Sequence, residues 1–149
     1  MRGDVRVGAM TATLAERAMA PGGFRWLPGM RETYSGYRVL YVDECGPCFV
    51  RPGPSPDRRW LNNVTTWLTG PPTPPTPDLN DPLTVLALLL LVRDAWRSDV
   101  YIEARPVLRR GPVRWFVRGG TVGPNAQLNG RNGFASEVEA LVVALECAP

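Results

Sequence analysis

The sequence contains no lysine and no histidine. Without histidine there is no Ser-His-Asp triad, no Cys-His dyad and no imidazole metal ligand. Any catalysis would fall to carboxylates, cysteines, tyrosines or arginines. Without lysine, all 17 basic residues are arginine. Arginine, alanine, glycine and proline share GC-rich codons, so a GC-rich genome accounts for the bias before any arginine is read as a phosphate or carboxylate fork. Cysteine is scarce too. Cys45, Cys48 and Cys147 are too few, and odd in number, for a secreted disulfide framework. Long apolar runs are missing. Leu83 to Val92 is about half a membrane span and is followed by Arg93 and Asp94. Residues 1–20 lack the continuous apolar core of a signal peptide. These absences predict a cytoplasmic protein with no membrane association and no cofactor.

What is present predicts one folded domain. The chain has 149 residues, 44% of them apolar and 21% charged, with net charge +3, which is a globular composition. Residues 1–9 are short and polar and read as a disordered arm or a mis-assigned start, with Met10 as a second start. Residues 10–149 read as a single α+β domain with a Pro-rich insert at 52–80. The fold expected is two antiparallel β-hairpins packed on a central buried helix and a C-terminal helix.

The elements follow from local chemistry. Thr13 with Glu16 forms a capping box ahead of a short helix, Leu14 to Ala20, stopped by Pro21-Gly22-Gly23. Trp26 to Met30 reads as an aromatic anchor entering a turn. Tyr37 to Val42 and Cys48 to Arg51 read as paired strands around the turn 43–47. Arg58 to Leu68 reads equally as helix or strand, and 70–77 as polyproline. Asp81 as N-cap and Pro82 at the first helical position open the leucine-rich segment Leu83 to Trp96. That segment is apolar nearly all round until Arg93, so a buried helix is expected, with Leu86, Leu89 and Leu90 inaccessible. Val100 to Arg105 and Val113 to Arg118 alternate and form the second hairpin, with Val113, Trp115 and Val117 facing the core. Residues 119–133 read as a loop, and Ser136 with Glu139 caps a last helix that runs to about Cys147.

Three stretches resemble something known. They are Trp26-Leu27-Pro28-Gly29-Met30, the Asp78-Leu79-x-Asp81-Pro82-x-Thr84 entry to the leucine-rich helix, and Ser136-Glu137-x-Glu139-Ala140-Leu141 in the final helix. Together they resemble short uncharacterised proteins encoded by bacteriophages and prophages. The motifs are caps and core leucines and bring no catalytic residues. The resemblance implies a phage-encoded accessory protein in the cytoplasm of a host bacterium, not an enzyme, whose partner is a host protein such as a defence component that it inhibits.

Two constellations compete with that reading. Arg105, Arg109, Arg110, Arg114 and Arg118 stand against Glu103 in the second hairpin, giving residues 100–118 a charge of +4 and leaving the rest near −1. Arg114, Phe116 and Arg118 share a face, and arginine with an exposed aromatic is the chemistry of single-stranded nucleic-acid binding or of an anionic partner. The bland alternative is a solvated face written in arginine by the genome. The other constellation is Cys45-Gly46-Pro47-Cys48, a thiol-oxidoreductase spacing. Phe49 to Pro54 cannot make the helix that such a site needs, and Glu44 opposes a thiolate, so incidental cysteines in a tight turn are expected. A zinc site would need ligands from a second subunit.

Overall fold

A computed structural model describes residues 12–50, 58–60, 74–119 and 126–149. The arm at 1–9, the segment 61–73 and the glycines at 120 and 123 lie outside the described residues. The elements are α1 (Leu14–Met19), β1 (Arg38–Asp43), β2 (Gly46–Val50), β3 (Arg58–Trp60), α2 (Pro82–Trp96), β4 (Tyr101–Pro106), β5 (Val113–Arg118), α3 (Ala126–Asn129) and α4 (Glu137–Glu146). The domain is α+β. The hairpins belong to two separate antiparallel sheets, β1-β2-β3 and β4-β5, so the undecided segment beginning at Arg58 opens as a strand paired with β2.

The helix starts follow the caps. Thr13 Oγ1 accepts from the Glu16 N–H at 3.1 Å while Glu16 Oε1 accepts from the Thr13 N–H at 3.1 Å. The Ser136 hydroxyl accepts from the Glu139 N–H at 3.1 Å and starts α4. Arg17 forks onto Glu146 at 2.7 and 3.1 Å, tying α1 to the last turn of α4.

The core joins one face of α2, the apolar face of α4, and Val39 and Phe49 of the first sheet. Phe24, Trp26 and Phe49 stack edge to face, with ring centroids 5.8 and 5.1 Å apart, so the aromatic anchor reaches the sheet. Trp96 Nε1 donates to the Ala144 carbonyl at 2.7 Å, which gives its polar atom a partner inside the core.

The central helix corrects the sequence expectation. Its buried residues are Thr84, Ala87, Leu88, Leu91, Val92 and Trp96, a single stripe at helical spacing. Leu86 is 53% exposed and Leu90 49% exposed; Leu89 is half-buried. Among the described residues only one side of α2 is covered, and leucine on the other side serves as a strong helix former. Arg97, in the left-handed conformation at φ 51°, ends the helix without a glycine.

A buried carboxylate organises the loop before β1. Glu32 is fully buried. One oxygen accepts from the N–H groups of Tyr34 and Ser35 and from the Ser35 hydroxyl at 2.8–2.9 Å, and the other accepts from the Thr76 N–H at 3.1 Å. It staples the loop to the extended segment at Pro74–Pro77, whose Pro77 bridges Glu32.

Candidate functional site

The second hairpin carries every candidate site residue, and its register fixes their faces. Tyr101 pairs with Arg118, Glu103 with Phe116 and Arg105 with Arg114. These six side chains therefore share one face. The opposite face places Ile102, Trp115 and Val117 against the core, as the alternation predicts. Val113 does not follow: it lies beyond the edge of the core and is exposed.

Phe116 corrects the sequence expectation. It was expected to reach solvent and is only 3% exposed. The Arg105 guanidinium lies 4.5 Å from its ring centroid and that of Arg118 5.2 Å. The same two guanidiniums flank Glu103, at 3.8 and 3.6 Å from Oε1. The loop at Gly133 closes the remaining side. A Cβ on Gly133 would sit 2.9 Å from the Phe116 ring and 2.6 Å from the Trp115 carbonyl oxygen, at φ +63°, so only glycine allows this approach. Phe116 is thus roofed by cations and backbone, with no face left for a base to stack on.

Arg114 is also engaged. Its Nε donates to the Asn132 carbonyl at 2.8 Å and its Nη2 to the Gly133 carbonyl at 3.3 Å. Arg114 thereby holds the hairpin to its own loop, while Arg105 and Arg118 lie over Phe116 and beside Glu103 within the hairpin. Arg109 and Arg110 differ. They lie in the turn closed by the Gly111 N–H donating to the Leu108 carbonyl at 3.0 Å, and both are exposed.

The sequence did not single out the apolar residues around them. Leu108 is 69% exposed, the most exposed large apolar residue among those described, and Val107 and Val113 are exposed with it. A shallow cavity of about 290 Å³ opens there, lined by Val107, Leu108, Pro112, Arg114 and Asn132. The only signal was two successive apolar residues, Val107-Leu108, between Pro106 and Arg109 in a turn.

The far edge of β5 is met by Asn129, which the sequence places in a loop, and by Phe134 just past that loop. Trp115 and Phe134 exchange both backbone hydrogen bonds, at 3.0 and 2.8 Å. Asn129 Oδ1 accepts from the Val117 N–H at 2.7 Å, and Asn129 Nδ2 donates to the Val117 carbonyl at 2.9 Å. The Asn129 amide acts as one residue of a third strand. Asn129→Ala is expected to destabilise by about 1–3 kcal/mol, because it strands both Val117 groups in a buried place. Denaturant titration checks this, and a loss within error of zero would mean water replaces the amide.

The cysteines sit as the turn chemistry predicts. Cys45 is exposed in the turn and its N–H donates to Asp43 Oδ1 at 2.8 Å, while Cys48 is buried within β2. A strand, not a helix, follows Cys45. Among the described residues no three acidic or thiol groups gather as a metal site, and no helix is long and apolar enough to cross a membrane. No family model, curated protein or solved structure matches the chain.

Proposed function

We propose that the chain is a phage-encoded accessory protein that acts by binding a protein of the host cell, with the tip of the second hairpin as its contact surface. The observation that carries this reading is the tip itself. Leu108, Val107 and Val113 are exposed together beside Arg109 and Arg110. Arginine around an exposed apolar centre is the composition of protein interfaces, where arginine anchors and lysine is depleted. The +4 charge of residues 100–118 adds steering toward an acidic partner. The phage origin rests on the three sequence stretches that resemble phage and prophage proteins. Inhibition of a host defence component is the outcome that such docking would have if the tip covers a working surface.

Binding of single-stranded nucleic acid loses its stacking residue, because Phe116 is buried and two of its arginines are held on it. What remains for that reading is charge, which makes salt dependence the discriminator.

The experiment compares wild type with Arg109→Glu/Arg110→Glu and with Leu108→Asp. Each is used to capture partners from host extract, and the captured protein is then titrated in purified form. Both variants are expected to fold normally, since these side chains are exposed, and to weaken binding at least about tenfold. A labelled single-stranded oligonucleotide is titrated in parallel at two salt concentrations. Retention of the same partner at undiminished affinity by both variants would remove the tip from the function. Tight, salt-sensitive oligonucleotide binding by wild type alone would transfer the site to nucleic acid.

A further inference from the structure

We infer that the outer edge of β4 accepts an extended, acidic segment of the partner as an added β-strand. The inference rests on the proposed docking role of the second hairpin and says how that docking is built.

Backbone direction is fixed by the bonds on the far side of the hairpin. Trp115 and Val117 turn their N–H and C=O groups away from β4, toward Phe134 and Asn129. In an antiparallel ladder, directions alternate residue by residue. Arg114, Phe116 and Arg118 therefore point toward β4 and meet Arg105, Glu103 and Tyr101. The groups of Ile102 and Ala104, and the carbonyl of Pro106, must then point outward. One step earlier the edge is closed, because Arg93 Nε donates to the Val100 carbonyl at 2.6 Å. Among the described residues nothing meets the outward groups of Ile102 and Ala104. Among the described residues the hairpin thus has one edge met by an amide side chain and a backbone bridge, and one edge open over Ile102–Pro106.

An open edge is a template for another strand. Pro106 and the charged pair Glu103 and Arg105 oppose indiscriminate pairing, so the occupant must match the charges. Arg105 is exposed on the strand itself, and Arg109 and Arg110 lie just past its end. A strand with carboxylates at alternate positions would set one opposite Arg105 and others toward the tip. Its intervening apolar residues would fall on the other face, beside Ala104 and half-buried Ile102. A second copy of this chain is a poorer fit, since it would bring one +4 hairpin against another.

The test uses the full chain, labelled with nitrogen-15, and a blocked eight-residue peptide alternating valine with aspartate. Hydrogen exchange is read amide by amide with and without peptide. The Tyr101, Glu103 and Arg105 amides point inward and should be unaffected. Those of Ile102 and Ala104 should slow about tenfold or more at saturation, since each gains an inter-strand acceptor. A valine–lysine peptide should leave them unchanged. Ala104→Pro removes one outward donor at an edge position where proline is tolerated, and should weaken the aspartate peptide about tenfold or more. The wild-type exchange data decide the question even if that variant folds poorly. Peptide binding that depends on Arg109 and Arg110 but leaves the Ile102 and Ala104 amides in fast exchange would overturn strand addition while sparing the docking role of the tip. Absence of any peptide binding would overturn the acidic occupant. Protection of the same two amides without peptide, rising with protein concentration, would assign the edge to a second copy instead.

Discussion

Leu91→Ala is expected to cost roughly 2–5 kcal/mol of stability, and Leu86→Ala under about 1 kcal/mol, although both leucines lie in one helix only five residues apart. Leu91 is wholly buried in the cluster that joins α2 to α4 and the first sheet. Truncating it removes apolar contact and leaves a cavity that packed neighbours fill only in part. Leu86 already has half its surface in water, and alanine is the stronger helix former at such a position. The two effects on Leu86 therefore nearly cancel. Midpoints in a denaturant series, with the slope unchanged, measure both. Equal losses for the pair would mean that α2 is rotated about its axis or covered on its outer side.

That contrast marks where the sequence stops being readable. A cap is a local event, so Thr13 with Glu16, Asp81 with Pro82, and Ser136 each mark a helix start correctly. Alternation likewise locates β4 and β5 to within a residue. Alternation names two faces, however, and cannot say how many are covered. The second hairpin is covered on both, by the core beneath Val117 and by guanidiniums and the Gly133 loop over Phe116. Phe116 was therefore placed in solvent by a rule that assumes one wet face. Leu83 to Val92 fails for a similar reason. A run of leucines carries no phase, so it cannot reveal that Leu88 and Leu91 face inward while Leu86 and Leu90 do not. Glu32 and Asn129 were invisible, because each is held in place by a group distant in the chain. Thr76 donates to Glu32, and Val117 pairs with Asn129. Of the candidate site, the arginine-rich hairpin was legible as a location. Which arginines are spent internally was not.

Asp81→Ala is expected to cost about 2–4 kcal/mol, more than an ordinary N-cap, whose loss costs about 1 kcal/mol. Asp81 does two things at once. Its Oδ2 accepts from the Thr84 N–H at 3.0 Å and the Thr84 hydroxyl at 2.9 Å, which starts α2. Both oxygens also receive the Arg38 fork, at 2.8 and 2.9 Å, while Arg38 reaches the Gly29 carbonyl through the same Nη1. One carboxylate thereby joins β1, the Trp26–Met30 turn and the central helix. The Asp81 side chain is 8% exposed and that of Arg38 32%. Breaking a fully buried pair costs roughly 3–5 kcal/mol; here the stranded guanidinium can turn partly to water, which lowers the ion-pair share. The pH dependence separates the two roles. The Arg38 guanidinium, opposed by desolvation and helped by Thr84, holds the Asp81 carboxyl far below the usual carboxylate range. A depressed folded-state value stabilises the protein above the unfolded value of about 3.9, and that contribution is lost as pH falls toward the folded value. Asp81→Asn keeps a cap acceptor but cannot titrate. The gap in stability between wild type and Asp81→Asn should be constant from pH 5 to 8 and narrow steadily below about pH 4. Arg38→Met should narrow the gap at neutral pH, since it removes the cation that favours the ionised carboxyl. If the gap instead held its full size down to pH 2, the carboxyl would not be ionised through this fork, and the link between β1 and α2 would have to be carried by packing alone.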